Sequence, residues 1–410
     1  MSVSPCRSCG APLRVTFCDL GLSPLSNAFV RPENLARGES FHPLHAFVCD
    51  ACLLVQLEEF ESPERIFSDY VYFSSYSDSW LAHSRAYAED VSASLGLGAE
   101  SLVVEVASND GYLLRFFTER GIPVLGVEPA ENVAEVARAR GIETISRFFG
   151  QILANELVAA GRRADLLVGN NVLAHVPDIN DFVAGLRTAL APAGTLTMEF
   201  PHLLRLIEQV QFDTIYHEHF SYLSLLAVER LFARHGLRIT DVRELPTHGG
   251  SLRIYATHAE RGLSETPAVE ALRALERAAG LHQLATYTRF AARVEACKRS
   301  VLRFLIDARE AGQQVVGYGA PAKGNTLLNY CGVRGDLLAY TVDRSPHKQG
   351  LFLPGTRIPV FAPERIAETR PDYVLILPWN LREEITAQLA FIRDWGGRFV
   401  TPVPEIRVWP

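Results

Sequence analysis

Long apolar runs are missing from this chain. No stretch approaches the roughly 18 consecutive apolar residues that a membrane-spanning helix needs. The N-terminus also lacks the charged segment followed by an apolar run that directs secretion. We therefore expect a cytoplasmic protein without a membrane partner.

Positive charge is also scarce. Lysine and arginine number 40 against 47 aspartate and glutamate residues, which gives a formal net charge of −7. Nucleic-acid-binding proteins carry basic patches, so we expect no nucleic-acid partner, and any phosphate group must be held locally. Low-complexity tracts are absent as well, and 48% hydrophobic residues supply enough apolar side chains for folded domains.

The length of 410 residues predicts several domains, because a single hydrophobic core rarely serves more than about 300 residues. We expect three: a turn-rich domain at 1–75, a second at 76–262 and a third at 263–410. In the second and third, short apolar runs alternate with helical stretches, a pattern typical of parallel sheets. The predicted fold class is α/β, with a small N-terminal domain and two Rossmann-like sheets. A single continuous sheet is the alternative.

Four of the seven cysteines form two Cys-x-x-Cys pairs, Cys6 with Cys9 and Cys49 with Cys52. In a reducing compartment such pairs favour metal binding over disulfides. Each pair brings two thiolates together at a tight turn, and four thiolates complete the tetrahedral coordination of a structural zinc ion. The alternative is four unrelated thiols or redox-active pairs.

Small residues occupy the turn after the first strand of the middle region, where residues 107–111 precede a helix. In doubly wound sheets a ligand binds beyond the carboxyl ends of the strands, and small residues let it approach the backbone N–H groups. Glu128 ends the next strand with an acid that suits a ribose diol. Neither segment contains Gly-x-Gly-x-x-Gly, which disfavours NAD and favours the methyltransferase version of this fold.

The cofactor candidates come from several neighbouring strand ends. They are Glu105, Ala107, Ser108, Asn109, Asp110, Gly111, Glu128, Pro129, Phe148, Asn170 and Asn171. Helix capping is the alternative role for the acids Glu105 and Asp110 and for the two asparagines. Core packing is the alternative for Phe148.

Residues 212–222 contain an unusual density of proton-handling side chains. A carbon nucleophile forms when a base of near-neutral pKa removes a proton beside a carbonyl while a donor stabilises the enolate oxygen. Histidine and tyrosine meet these needs: Glu218 can orient an imidazole, and Tyr216 or Tyr222 can donate to the oxyanion. One alternative is a metal site at residues 217–219, whose spacing differs from His-Glu-x-x-His. Another is a polar turn with one buried histidine.

A second aromatic cluster spans residues 70–80, where the first domain should meet the middle one. Its tyrosines could close a substrate pocket, and Tyr70, Tyr72 and Tyr76 are our candidates. Packing between domains is the alternative role for these rings.

A glycine-rich turn in the last third, residues 316–326, follows a strand and precedes a helix. Backbone N–H groups at such a turn bind oxyanions, and Lys323 adds a positive charge, which suits a nucleotide diphosphate. Later strand ends supply further polar groups. The candidate substrate-binding residues are Tyr72, Tyr222, Gly319, Ala320, Lys323, Gly324, Asn325, Asp343, Lys348, Trp379 and Asn380.

Over essentially its whole length the chain resembles the nucleotide-deoxysugar C-methyltransferases, which are S-adenosylmethionine-dependent sugar C-3-methyltransferases with an N-terminal zinc-binding domain. The resemblance rests on both cysteine pairs, on Tyr-x-Tyr-Phe-Ser-Ser from Tyr70, and on residues 105–111, 216–219 and 317–325. It implies S-adenosylmethionine in the middle domain and a dTDP-linked 4-keto-deoxysugar in the last, as in antibiotic deoxysugar biosynthesis. We expect a monomer.

The resemblance also implies residue roles. His219 would be the base at carbon 3, Glu218 a supporting base and Tyr216 an oxyanion donor, with His175 lining the reaction site. From the aromatic cluster, Tyr70 and Tyr76 are further catalytic candidates. Methylation at carbon 5 or on oxygen is the nearest alternative. A non-catalytic module that binds zinc and a nucleotide is a more distant one.

Overall fold

The computed structural model describes residues 4–62, 74–76 and 78–410. Tyr70, Tyr72 and the side chain of Tyr76 lie outside the described residues, so their substrate roles stay predictions. Among the helices that are described, none combines the length and the apolar character needed to cross a bilayer.

Strands and helices alternate through most of the described chain. The strands are β1 (Val15–Ser23), β2 (His42–Val48), β3 (Val55–Leu57), β4 (Val103–Val106), β5 (Val124–Val127), β6 (Thr144–Ile145), β7 (Ala164–Asn170), β8 (Leu190–Pro201), β9 (Ser221–Tyr222), β10 (Leu237–Leu245), β11 (Ser251–His258), β12 (Val315–Tyr318), β13 (Thr341–Val342), β14 (Val360–Phe361), β15 (Tyr373–Ile376), β16 (Arg398–Thr401) and β17 (Arg407–Trp409). The α-helices are α1 (Asp78–Leu95), α2 (Leu114–Thr118), α3 (Glu131–Ala139), α4 (Gln151–Ala159), α5 (Ile179–Ala189), α6 (Leu203–Glu208), α7 (Leu225–Arg234), α8 (Pro267–Ala278), α9 (Leu284–Thr288), α10 (Phe290–Glu310), α11 (Ala322–Cys331), α12 (Arg365–Thr369) and α13 (Arg382–Gln388).

These elements form two compact units, each assembled from three stretches of chain. Unit 1 consists of Met1–Leu13, Cys49–Leu203 and Phe220–His282. Unit 2 consists of Arg14–Val48, Leu204–His219 and Gln283–Pro410. The three domain ranges expected from the sequence stay a prediction.

Unit 1 contains a seven-stranded sheet in the order β10-β11-β8-β7-β4-β5-β6. The strands from β4 to β8 run parallel, whereas β11 and β10 are antiparallel additions at one edge. The parallel strands are apolar and buried on both faces, as parallel sheets require. The strand order reverses at β4, which lies between β5 and β7, and ligands of doubly wound sheets bind at this point.

One hydrophobic core cluster of unit 1 lies where α1 and α2 pack on this sheet. Tyr87 and Val91 of α1 pack with Phe116 and Phe117 of α2 against the buried side of β4. Burial of such large rings is worth about 1.5–3 kcal/mol each, which fixes the helices on the sheet. The end of β4 is thereby held in place.

Unit 2 contains a six-stranded sheet in the order β14-β13-β12-β15-β16-β17. β12 lies between β13 and β15 and is parallel to both, whereas β17 is an antiparallel edge strand that the sequence pattern does not predict. The two sheets confirm the α/β fold class.

The antiparallel hairpin of β1 and β2 also belongs to unit 2. Phe17 of β1 is fully buried and stacks on Phe290 of α10, with the ring centroids 4.6 Å apart. A segment from the N-terminal part of the chain therefore contributes to the core of the unit that holds the C-terminal third.

Candidate active site

The two Cys-x-x-Cys turns of unit 1 bring four sulfur atoms within 4.8 Å of one another. The Sγ atoms of Cys6 and Cys52 are 3.6 Å apart, and those of Cys9 and Cys49 are 3.5 Å apart. Thiolates bound to tetrahedral zinc at about 2.3 Å are separated by about 3.8 Å. The four cysteines therefore fit a structural zinc ion. Within the described ranges no second group of metal-binding side chains occurs, so the alternative metal site at residues 217–219 gains no support.

Both zinc turns have the same backbone construction. The residue after the second cysteine of each pair, Gly10 or Leu53, has a left-handed φ of 76° or 63°. Its N–H donates to the carbonyl of the first cysteine, at 2.8 Å in one turn and 2.9 Å in the other. In addition, Nε2 of Gln56 donates to Sγ of Cys6 at 3.1 Å, which orients that ligand. Gln56 was not among the residues predicted from the sequence. The one local indication of its role is that it is a polar residue in an otherwise apolar strand.

The predicted cofactor turn begins directly after β4. Three of its residues, Ala107, Asn109 and Gly111, have positive φ values of 55°, 50° and 75°. A side chain at Gly111 would place its Cβ 2.9 Å from Cδ1 of Ile142, so this position needs glycine. The chain therefore folds back sharply at the end of the strand, where the backbone can approach a ligand.

Glu128 fastens this turn to the end of β5. One carboxylate oxygen accepts from the N–H of Asn109 at 2.9 Å, and the other accepts from the N–H of Ala130 at 3.0 Å. Burial raises the pKa of Glu128, and these two backbone hydrogen bonds oppose that rise. Each oxygen retains a lone pair that a ribose hydroxyl can use.

Several polar atoms around the turn are available to a ligand. Oγ of Ser108 and Oδ1 of Asn171 are buried and have no hydrogen-bond partner within the described part of the chain. Glu105 is fully buried, which raises its pKa well above the usual range. Phe148 is 42% exposed and is therefore not a core residue. Together these groups fit a cofactor with a sugar, a charged group and an aromatic base.

Asp110 has a different environment from the other acids. Its carboxylate lies 3.0 Å from Nη1 of Arg140, and the hydroxyl of Ser75 donates to the same oxygen. The charge of Asp110 is thus compensated inside the protein, and the carboxylate holds residues 74–76 against the turn.

The remaining predicted residues of unit 1 lie on two other elements. Asn170 ends β7 and donates from Nδ2 to the hydroxyl of Tyr112 at 3.4 Å. His175 follows in a short 3-10 helix and is partly buried. Tyr222 is buried in β9, where it pairs with Val55 of β3.

In unit 2, His219 has a defined ring orientation. Its Nδ1 lies 2.8 Å from the carbonyl oxygen of Thr214, and the ring of Tyr216 lies 3.9 Å from the imidazole, centroid to centroid. A carbonyl oxygen only accepts, so Nδ1 carries the hydrogen and the lone pair of the neutral ring is on Nε2. Both rings are partly exposed, so a ligand can reach them.

The neighbouring residues have distinct environments. His217 is buried and its Nε2 donates to the carbonyl of Pro43 at 3.2 Å, as expected of a structural histidine. Glu218 is also buried, and Nδ2 of Asn27 donates to its Oε1 at 2.6 Å. Burial raises the pKa of Glu218 to about 7, while the hydrogen bond from Asn27 lowers it. A carboxyl group that titrates near neutrality can exchange protons during turnover.

The glycine-rich turn lies between the end of β12 and the start of α11. Gly319 has a φ of 86°, and a Cβ there would lie 2.6 Å from Cδ of Pro378. The N–H of Ala320 donates to Asp343 at 2.7 Å, and Nζ of Lys348 donates to the Ala320 carbonyl at 3.0 Å. This turn is at the reversal point of the second sheet, where an anion can bind the helix N-terminus.

Lys323 is held above the ring of Trp379. Its Nζ donates to Oδ1 of Asn380 at 2.8 Å and lies 4.6 Å from the indole centroid. Unit 2 thus gathers most of the predicted substrate residues around the end of β12. They are Gly319, Ala320, Lys323, Gly324, Asn325, Asp343, Lys348, Trp379 and Asn380.

Asp213 completes this group and was not among the predicted site residues. Nε1 of Trp379 donates to its Oδ2 at 2.7 Å, and the carboxylate is fully buried. Burial raises the pKa of Asp213 to about 6, against the opposing charge of Lys323. Burial also lowers the pKa of Lys323. Sequence reasoning had no signal for this pairing, because the two residues are far apart in the chain.

Three family models match the chain in succession. They are "Putative zinc binding domain" over residues 6–67, "Methyltransferase domain" over residues 80–242 and "C-methyltransferase C-terminal domain" over residues 246–404.

Individual relatives match as well. The chain is 38% identical over 406 residues to the C-methyltransferase NovU of Streptomyces niveus, which covers 99% of this chain and 97% of that protein. A ubiquinone biosynthesis O-methyltransferase of Idiomarina loihiensis is 33% identical over 96 residues, or 23% of this chain and 40% of that protein. Among solved structures, the CcbJ methyltransferase of Streptomyces caelestis matches 43% of this chain and 89% of its own, with a TM-score of 0.36 and 15% identity.

Proposed function

The chain belongs to the family of C-methyltransferases with an N-terminal zinc-binding domain, and we propose that it methylates carbon 3 of a dTDP-linked 4-keto-deoxysugar. The observation that carries the proposal is a hydrogen bond in unit 2. Oγ1 of Thr326 donates to the carbonyl of Ile215 at 3.1 Å. It joins helix α11, which begins at the anion-binding turn, to the segment that bears His219. A base beside a diphosphate anchor suits a sugar that is linked to a nucleotide.

His219 is the proposed base. Its Nδ1 is committed to the Thr214 carbonyl, so Nε2 takes the proton from carbon 3 of the sugar. The electron pair of the broken C–H bond moves toward the oxygen at carbon 4. Tyr216, whose ring lies against the imidazole, donates a hydrogen bond to that oxygen. Glu218 supports proton transfer, and the roles of His175, Tyr70 and Tyr76 at the sugar stay predictions.

Unit 1 holds the methyl donor. When bound, S-adenosylmethionine would supply an electrophilic methyl group for carbon 3 of the enolate, with a neutral thioether as the leaving group. Glu128 binds the ribose hydroxyls through the remaining lone pairs of its oxygens, while Phe148 contacts the adenine. Ser108, Asn171 and Glu105 bind the rest of the cofactor.

The four cysteines hold a structural zinc ion. Four thiolates leave no coordination position for a substrate or water, so the ion stabilises the fold and takes no part in the reaction.

Product analysis tests the proposed reaction. The protein is incubated in D2O with S-adenosylmethionine and a dTDP-linked 4-keto-deoxysugar, and the product is examined by mass spectrometry and NMR. We expect a gain of one methyl group bonded to carbon 3. Without the methyl donor, we expect deuterium to enter at carbon 3 only.

Other products would contradict the assignment in distinct ways. Deuterium exchange and methylation at carbon 5 would show that carbon 5, and not carbon 3, accepts the methyl group. A methyl ether without any exchange would show that the acceptor is oxygen. Binding of both ligands without exchange or transfer would exclude this substrate.

A further inference from the structure

A short segment of the N-terminal part of the chain runs through unit 2 beside the predicted site residues. We call residues 23–30 the strap. The carbonyl of Ser26 accepts a hydrogen bond from Nδ2 of Asn325 at 2.6 Å, in a buried position. Val30 forms two backbone hydrogen bonds with Phe352, both at 2.9 Å. The strap is thus fixed to the helix of the anion-binding turn and to a loop that follows β13.

Asn27 lies between these two anchors. Its side chain reaches the segment 212–219 and donates from Nδ2 to Oε1 of Glu218 at 2.6 Å. Because a carboxylate only accepts, the carboxamide must present its nitrogen to Glu218. A charge-assisted hydrogen bond of this length is stronger than a neutral one and favours a single orientation of the acid.

Within the described part of the chain, the Asn27 hydrogen bond is the contact that stabilises the ionised form of Glu218. Burial disfavours that form, and the hydrogen bond opposes burial. The titratable groups on its own segment are Asp213, Tyr216, His217 and His219. The carboxylate of Asp213 accepts from the indole of Trp379, and His217 is turned toward Pro43. On the strap, the polar side chain that faces Glu218 is uncharged.

We propose that Asn27 is a positioning residue for the methyl-transfer reaction, which holds Glu218 ionised and correctly oriented beside His219. This inference rests on the proposed function, in which Glu218 supports proton transfer. Through the Ser26 carbonyl, the same strap also holds Asn325 of the anion-binding turn. The strap therefore connects the group that handles protons with the group that anchors the diphosphate.

Two substitutions at Asn27 and one control test this role in the full-length protein. Asn27→Leu keeps the approximate shape and removes the donor, whereas Asn27→Asp places a second carboxylate beside Glu218. Ala28→Ser changes the exposed neighbour on the same strap. For each variant, kcat and the KM values for S-adenosylmethionine and for the dTDP-linked sugar are measured from pH 5.5 to 9.5. The Glu218 carboxyl carbon is also titrated by NMR in 13C-glutamate-labelled protein, with Glu218→Gln assigning the signal.

We expect Asn27→Leu to move the acidic limb of kcat and the Glu218 titration upward by about one pH unit, since a hydrogen bond to a charged group is lost. At pH 7 this shift lowers kcat about fivefold, and the loss shrinks as the pH rises toward 9. Asn27→Asp shifts the acidic limb of kcat and the Glu218 titration further upward, because two neighbouring carboxylates repel each other. Neither variant changes the KM for S-adenosylmethionine, and Ala28→Ser matches the unmodified protein.

The pH dependence of kcat and the Glu218 titration distinguish a wrong role for Asn27 from a wrong substrate. A Glu218 titration that is the same with and without the Asn27 carboxamide would overturn the inference. So would a kcat that falls by one factor at every pH, since that is the result of a merely structural role. If the unmodified protein neither exchanges nor methylates the sugar, while Asn27→Leu still shifts the titration, the substrate is wrong and the contact stands.

Discussion

At the scale of single residues, the orientation of one imidazole determines the chemistry. His219 gives Nδ1 to the Thr214 carbonyl, and this leaves Nε2 as the basic nitrogen. Asparagine has an amide nitrogen near the position of Nδ1 and nothing at the position of Nε2. His219→Asn should therefore keep the hydrogen bond to Thr214 and lose the base together with the ring contact to Tyr216. We expect kcat to fall by about 10²–10⁴ with dTDP affinity retained.

Steady-state kinetics and calorimetric binding measure the two quantities separately. His217→Asn is the comparison variant, because His217 donates to Pro43 and has no role as a base. It should affect stability more than turnover. A His219→Asn enzyme with unchanged kcat, or with lost dTDP binding as its main defect, would remove His219 from the reaction.

The buried carboxylate of Asp213 makes a second residue-level prediction. Its pKa of about 6 in the folded protein is above the usual value near 4, so the folded state binds the proton more tightly. Stability from this group is present at low pH and is lost as the pH rises from about 4 through 6. Trp379→Phe removes the indole donor from the ionised form. We expect a loss of about 1.5–3 kcal/mol at pH 8 and a smaller loss at pH 5, measured by urea unfolding.

Trp395→Phe is the matched control for this measurement. The Trp395 indole is partly buried and donates to the neutral carbonyl of Pro371 at 3.0 Å, so its loss should cost the same at both pH values. Equal losses at pH 5 and pH 8 for Trp379→Phe would mean that Asp213 does not change its ionisation between these two pH values, which contradicts a pKa of about 6.

At the scale of elements, the strand ends were the most predictable part of the molecule. Apolar runs that end in small or polar residues predicted β4, β7 and β12 and the turns that follow them, since this pattern is local. The contacts of Asn27 with Glu218 and of Trp379 with Asp213 join distant segments, so no local pattern could predict them. Edge strand β17 has only three residues, too few for an alternating pattern.

Gly126 lies in β5 and packs against Ser108 of the cofactor turn, whereas Gly319 lies in the anion-binding turn, so substitutions at the two glycines predict separate binding defects. A Cβ at Gly126 would lie 2.5 Å from Oγ of Ser108, and one at Gly319 would lie 2.6 Å from Pro378. Gly126→Ala should therefore weaken S-adenosylmethionine binding tenfold or more, on the order of 1.4 kcal/mol, with dTDP affinity unchanged. Gly319→Ala should weaken dTDP binding, with the affinity for S-adenosylmethionine unchanged. Isothermal titration calorimetry with each ligand measures both effects.

Two other glycines serve as controls for these variants. A Cβ at Gly98 or Gly332 meets no atom within 4 Å, and Gly332 shares the left-handed φ of Gly319. Gly98→Ala should be silent, and Gly332→Ala should cost stability without changing either affinity. If Gly126→Ala weakened both ligands equally, the effect would be general unfolding.

The zinc turns predict a defined metal stoichiometry. Four sulfur atoms at these distances bind one ion, so elemental analysis should find about one zinc per chain. Cys52→Ser should reduce the zinc content to near zero and lower the thermal stability, because metal binding contributes directly to folding. Cys18→Ala, at a buried cysteine outside the cluster, should keep the zinc. A folded Cys52→Ser protein with full zinc content would contradict the site.

At the scale of the whole molecule, each compact unit is assembled from separated stretches of the chain. Composition and periodicity describe neighbours in sequence, and they therefore suggested three continuous domains. Composition and periodicity do not indicate that residues 14–48 and 204–219 pack in the same unit as the C-terminal third. The location of these returning stretches is also why the strap and the candidate base share one unit with the anion-binding turn.

This assembly predicts that the C-terminal third cannot fold alone. A fragment of residues 283–410 lacks Phe17, which stacks on Phe290, and Phe212, whose ring lies 5.4 Å from that of Tyr330. We expect the fragment to bind hydrophobic dyes and to melt without a cooperative transition. In the full chain, Phe17→Ala should cost about 3–5 kcal/mol, whereas Leu22→Ala on the same strand, at a side chain that is 65% exposed, should cost little. Cooperative unfolding of the fragment, measured by circular dichroism and calorimetry, would show that the C-terminal third folds without the strands β1 and β2.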